Sequence, residues 1–131
     1  MKIGMTGSKH FTGKQKIKDL IWLLKQKTDE PIEIISLGEE YGADKFVKKY
    51  TLRLEMNYKE FLPYHKRWNL YCHEPAYLFS KQYSARYFFI CFNNFVKYCD
   101  KIVFFKSNED KKDHPIIQIA KKNNKELIEM I

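Results

Sequence analysis

Several signatures that would settle the class of this chain at once are missing from it. No apolar run approaches the roughly 20 residues that span a bilayer. The longest stretches, such as Tyr87–Phe92 and Ile102–Phe105, are far shorter. The opening Met1-Lys2-Ile3-Gly4 has no apolar run of the signal-peptide kind, so neither export nor membrane insertion is expected. Cysteine is scarce: Cys72, Cys91 and Cys99 form no CxxC and no Cys/His zinc spacing, and no metal site is expected. An odd number of thiols without an export signal suits the reducing cytosol. Neither GxGxxG nor a Walker sequence occurs, and there is no internal repeat or low-complexity linker.

What is present is positive charge. Twenty-four Lys and Arg against sixteen Asp and Glu give a net +8 over 131 residues, a length that suits one domain over 1–131. The 44% hydrophobic content supports a packed core. The charge is uneven. Residues 63–98 hold five basic side chains, one acidic one and twelve of the twenty-one aromatic rings. A positive field raises on-rates for phosphates and nucleic acids, although lysine-rich surfaces also serve plain solubility.

The periodicity alternates strand and helix. Met1–Thr6 reads as a strand, and a helix follows from Thr12 or Gly13 to about Lys27, with Ile17, Leu20, Ile21 and Leu24 on one face. Residues 32–36 form a second strand, Ala43–Met56 a helix, and Asn57–Leu62 a third strand. Pro63–Gln82 is irregular, and its length predicts function or small local elements. A helix over Tyr83–Tyr98, a strand over Lys101–Phe105, a helix over Ile116–Asn123 and a last strand over Lys125–Ile131 complete the chain. The pattern predicts an α/β fold, a single Rossmann-like domain with a mostly parallel sheet flanked by helices. Ligands of such sheets bind at the carboxyl ends of the strands, beside a topological switch point. That rim gathers Gly7-Ser8-Lys9, the Gly38–Asp44 loop, Pro63–Trp68 and Ser107–His114.

Three segments carry candidate chemistry. Gly4-x-x-Gly7-Ser8-Lys9 joins a strand to a helix, where backbone N–H groups suit a phosphate and a tight turn alone also suits glycine. In Gly38-Glu39-Glu40-Tyr41-Gly42-Ala43-Asp44 two glycines precede a helix, and Asp44 either caps that helix or meets a ribose hydroxyl. Tyr64, His65, Lys66, Arg67, Trp68, Tyr71 and Tyr77 interleave rings with charge. Rings that stack on bases contribute roughly 1–3 kcal/mol per base. The alternative is packing of those rings onto the sheet or against a second subunit, which makes a homo-oligomer an expectation as well.

Met5-Thr6-Gly7-Ser8-Lys9-His10-Phe11, together with Ser36-Leu37-Gly38 and Tyr41-Gly42-Ala43-Asp44-Lys45-Phe46, resembles the YspA-like branch of the SLOG superfamily. Lys48-Lys49-Tyr50 and a late helix ending at Asp100 extend the likeness over most of the chain. That superfamily has a Rossmann-like fold and includes the cytokinin-activating LOG enzymes and the DNA-loading protein DprA. The resemblance implies binding of a nucleotide, a nucleotide-derived signal or single-stranded DNA. Leu37 stands where the family carries a further glycine, and Cys91-Phe92 where it carries Arg-Asn, with Arg86, Asn93 and Asn94 nearby. The glycine-rich phosphate loop and catalytic Glu of the LOG branch have no counterpart in Lys106–Lys112.

The expectation is therefore a cytoplasmic nucleotide binder with no assigned catalytic residue and no cofactor. Its expected ligand contacts are Gly7, Ser8, Lys9, Gly38, Gly42, Asp44, Tyr64, Lys66, Arg67, Trp68, Arg86 and Ser107. One alternative is a single-stranded nucleic-acid binder. A further one is a nucleotide N-glycosidase, for which Glu39, Glu40 or Asp44 would have to serve as the acid.

Overall fold

A computed structural model describes residues 1–27 and 29–131. Strands β1 (Lys2–Gly7), β2 (Glu33–Ser36), β3 (Asn57–Glu60), β4 (Lys101–Phe105) and β5 (Glu126–Met130) alternate with four helices. These are α1 (Lys14–Lys27), α2 (Ala43–Arg53), α3 (Ala85–Tyr98) and α4 (Pro115–Lys122). All strand pairs are parallel, in the order β3-β2-β1-β4-β5. The architecture is α/β and Rossmann-like, as the alternating periodicity predicts.

Alternation along each strand supplies one core to each face of the sheet. Ile3, Met5, Ile34 and Val103 meet Ile17 and Ile21 of α1 and Val47 and Tyr50 of α2. On the opposite face, Ile35, Ile102 and Phe104 meet Phe95 and Val96 of α3 and Ile116, Ile117 and Ala120 of α4. Burying each of the large side chains contributes about 1.5–3 kcal/mol. Among the described residues no helix is long and apolar enough to cross a membrane.

Boundaries differ from expectation where local chemistry intervenes. Helix α2 stops at Arg53, not Met56, because Glu55 adopts φ 59°, which ends a right-handed helix. Helix α3 starts at Ala85, not Tyr83, because the Ser84 hydroxyl caps it by accepting from Arg86 N at 3.2 Å. Strand β3 stops at Glu60, where the chain turns toward the irregular segment. That segment holds a short 3₁₀ turn, Ala76–Ser80.

Candidate functional site

The order of the strands creates one switch point. After β1 the chain turns to α1 on one face, and after β4 it turns to α4 on the other. The two turns part, and a cleft of about 670 Å³ opens between them. One wall is Gly7-Ser8-Lys9, and the other belongs to the β4–α4 loop, with Lys106, Ser107, Lys111, Lys112 and His114. Phe104 and Ile117 provide an apolar floor, and Glu39 closes a third side. The volume lies within the range of small-molecule sites.

Ser8 holds the first wall together. Its N–H donates to Phe105 O at 2.9 Å, and its carbonyl accepts from Phe11 N and Ala43 N. The hydroxyl donates to Asp110 Oδ1 at 2.7 Å and accepts from His10 N at 3.0 Å. The expected phosphate cradle of Gly7–Lys9 amides is thereby narrowed: Phe105 O takes the Ser8 amide, and among the described residues the Gly7 and Lys9 amides keep no acceptor in this turn. Gly7 is required by close approach, since a Cβ there would lie 2.4 Å from Phe105 O and 2.9 Å from Ala43 Cβ.

The opposite wall is tied to the first through the same Asp110. Its second oxygen accepts from Ser107 N at 3.3 Å, while Glu109 lies 3.4 Å from His10 Nδ1. Lys106 is paired with Glu129 at 2.9 Å. Among the described residues Lys9, Lys111 and Lys112 have no ion-pair partner. With Glu39 paired to Lys66 and Lys106 to Glu129, Lys9, Lys111 and Lys112 face Asp110, which keeps its charge while Ser8 and Ser107 donate to it, and Asp113 in the cleft. The open space therefore carries a small positive excess.

His114 joins that charge to the apolar floor. Its Nδ1 accepts from Ile116 N at 3.1 Å and caps α4. Burial lowers its pKa below the ordinary imidazole value, so the ring is neutral near pH 7 and carries its proton on Nε2, which leaves a donor free. The ring lies 5.6 Å from Phe104 and 5.1 Å from Phe92.

The glycine loop serves as a support. Gly42 takes φ 71°, and a Cβ there would lie 2.3 Å from Ser8 O, so the loop leans directly on the first wall. Gly38 donates its N–H to Ser36 Oγ at 3.1 Å. Asp44 neither caps α2 nor opens toward the cleft. It is buried, and its Oδ1 accepts from Leu37 N at 3.4 Å. Burial pushes its carboxyl up to about 7, against the lowering effect of the nearby Thr6 hydroxyl and the Leu37 amide. The Thr6 geometry falls short of a hydrogen bond, and Asp44 Oδ2 and Thr6 Oγ1 both lack a partner among the described residues. The capping expectation for Asp44 is thus corrected, and in place of a ribose contact at the cleft the carboxyl lies buried beneath the loop.

Next to this loop lies a second polar group of residues that the sequence reading missed. Gly38 N–H, Ser36 Oγ, Tyr58 OH and Glu60 Oε2 form a continuous chain, with 2.6 Å between the hydroxyls and 2.7 Å from Tyr58 to Glu60. Glu60 Oε1 accepts from Asn69 Nδ2 at 2.5 Å and lies 3.4 Å from Lys48 Nζ. Glu60 is only 1% exposed, yet both its oxygens are occupied. The available sign was a Tyr-x-Glu alternation at a strand end, which puts both side chains on one face.

The aromatic and basic segment stands apart from the cleft. Tyr64 packs on Phe79 and Tyr87, and Trp68 Nε1 donates to Glu74 O at 3.2 Å. Arg67 and Arg86 are exposed and line no part of the cleft. Only Lys66 reaches its border, 3.5 Å from Glu39. The expectation that Tyr64 or Trp68 stacks over a ligand at the strand ends is corrected, because local packing and the Glu74 carbonyl hold both rings outside the cleft. A run of ring contacts, Tyr83–His65–Phe88–Phe92–His114, does connect the segment to the cleft floor. Of the acids an N-glycosidase would need, Glu39 lines the cleft, Glu40 does not, and Asp44 is buried. The three cysteines are free and buried, and burial raises the Cys91 and Cys99 thiols, the latter to about 12.

Of the expected contacts, the cleft thus collects Gly7, Ser8, Lys9 and Ser107, with Gly38, Gly42 and Asp44 behind the wall. The fold and this opening define a Rossmann-like α/β protein with a cationic cleft at its switch point. No family model, curated protein or solved structure matches the chain.

Proposed function

We propose that this protein binds a nucleotide or nucleotide-derived small molecule in the cleft between β1 and β4, and that it is of SLOG type. The observation that carries the reading is the pairing of three lysines that have no ion-pair partner among the described residues with an apolar floor in one cavity of about 670 Å³. Lys9, Lys111 and Lys112 meet the phosphate, and the base lies toward Phe104 and His114. The neutral His114 ring offers an N–H donor to a base carbonyl or ring nitrogen. Sensing or sequestering a signal nucleotide is the role this reading favours, in a cytoplasmic setting.

Calorimetric titration with AMP, GMP, CMP and UMP tests it. At least one binds, Lys9→Glu weakens that ligand about tenfold or more, equivalent to about 1.4 kcal/mol, and Arg67→Glu leaves it within twofold. Absence of binding by all four at millimolar concentration would contradict the reading.

A second reading has its own observation. Tyr77, Tyr83 and Phe89 are 74%, 70% and 59% exposed in the region that holds Arg67, Lys81 and Arg86. Such rings and cations suit single-stranded nucleic acid. In that case Arg67→Glu, not Lys9→Glu, abolishes binding to an oligonucleotide, and affinity falls steeply with salt.

A further inference from the structure

The two edges of the sheet are finished differently. At β3 the irregular segment returns to seal the edge: Glu60 N donates to Tyr71 O and His73 N to Glu60 O, each at 3.0 Å. Strand β5 forms the other edge, and among the described residues nothing pairs with its outer side. Lys106 N donates to Met130 O at 2.6 Å, which directs the backbone groups of Met130 toward β4. By the two-residue period, those of Ile128 and Glu126 point the same way, and those of Leu127 and Glu129 point outward.

An open edge is ordinarily guarded by proline, a bulge, charge or a covering segment. Strand β5 has no proline, and it runs in unbroken register with β4 from Glu126 to Met130. The Glu129 carboxylate is drawn to Lys106 on the β4 side. Ile128, opposite Val103, stands on the α1 face of the sheet and is 42% exposed, and Ile131 is 65% exposed.

We propose that β5 pairs antiparallel with β5 of a second copy of this chain, about a two-fold axis at Ile128. The two five-stranded sheets then become one continuous sheet. The register follows from which groups face outward. Leu127 can meet Leu127, Leu127 can meet Glu129, or Glu129 can meet Glu129. The last opposes two carboxylates, and the first sets exposed Ile128 against Glu126. With Leu127 opposite Glu129, Ile128 faces its own copy at a non-hydrogen-bonded position, where opposed side chains are closest. The charges agree with this choice. Lys16 Nζ donates to Ile131 O, and in this register Ile131 of the second copy lies opposite Lys125, beside Glu126. Lys16 of the second copy therefore arrives next to the Glu126 carboxylate, on the same face. The interface is isologous and closes at two copies. It does not depend on the nucleotide reading.

Sedimentation of the full chain from low-micromolar to millimolar concentration tests the inference. The wild type becomes a dimer at the upper end. Glu129→Pro is monomeric throughout, because its lost N–H points away from β4 and the internal ladder survives. Ile128→Lys, which opposes two cations at the axis, is also monomeric and decides the matter should the proline variant not fold. Ile128→Cys links two chains through a disulfide under mild oxidation, and Glu126→Cys does not. A wild type that stays monomeric at millimolar concentration overturns the proposal. So does a dimer that survives Ile128→Lys.

Discussion

At the carboxyl ends of β2 and β3 the polar side chains are consumed by one another, whereas at those of β1 and β4 the lysines face open space. Tyr58 and Asn69 donate to the two oxygens of the buried Glu60 carboxylate, with Ser36 bonded to Tyr58 behind it and Lys48 alongside. Lys9, Lys111 and Lys112 line a cavity with no acid paired to them among the described residues. Both halves are rich in groups that titrate or bind, so residue type alone does not separate framework from site. Satisfaction does. A polar group with its partners already in place stabilises the fold, and one that lacks them and lines open space is available to a ligand.

The contrast can be broken from either side. The largest effect is expected at Glu60. Glu60→Ala leaves the Tyr58 hydroxyl, the Asn69 amide and the Lys48 ammonium without their shared acceptor, at a cost of about 3–5 kcal/mol in urea unfolding. The Gly38 loop loosens with it, and ligand affinity falls as a consequence. A Glu60→Ala protein of wild-type stability would mean that the buried group is not framework.

Asp44 gives the next effect, and its sign is unusual for an aspartate. Its folded pKa of about 7 lies above the ordinary 3.8, so between these values the folded state holds a proton that the unfolded state has released. Stability contributed by the neutral carboxyl is present below pH 4 and is lost as pH rises through 7. Asp44→Asn, neutral at every pH, removes this slope. Relative to wild type it gains stability between pH 4 and 7, on the order of 3 kcal/mol at the top of the range. Thermal unfolding of both proteins across that range reads the difference. Parallel pH profiles would show that Asp44 is ionised and solvated in the folded state.

The smallest effect on stability is expected in the cleft. Lys9→Glu changes unfolding by less than about 0.5 kcal/mol, because Lys9 is exposed and its side chain has no ion-pair partner among the described residues. Altering the β2–β3 half of the rim changes stability and, through it, binding, whereas altering the β1–β4 half changes binding alone.

The sheet was legible because its strands are bounded by clear breaks and its helices carry strong apolar stripes. Ile17, Leu20, Ile21 and Leu24 mark α1 without ambiguity. The rim was legible in outline, since Gly7-Ser8-Lys9 and Ser107–His114 do enclose the cleft. What periodicity could not show is which partners are spent. The Ser8 amide looks free in a strand-to-helix turn, and only the neighbouring strand reveals that Phe105 O takes it. Asp44 stands two residues after a glycine, as a cap or a ribose ligand would, and only the depth of Leu37 and Thr6 around it shows a buried acid. Trp68 and Tyr64 sit among cations in the sequence, but the path of residues 63–84 carries them to one side. The Glu60 network depends on Asn69, nine residues away in an irregular segment that no period describes.

The most direct measurement is a titration of the ¹⁵N-labelled protein with AMP, GMP, CMP and UMP, followed through its backbone amide shifts. With the nucleotide that binds, the changes fall on Gly7, Lys9 and the loop from Lys106 to His114, while Tyr58, Glu60 and Asn69 stay in place. Shifts confined to Trp68, Tyr77, Tyr83 and Arg86, or no shifts with any of the four, would contradict a nucleotide site between β1 and β4.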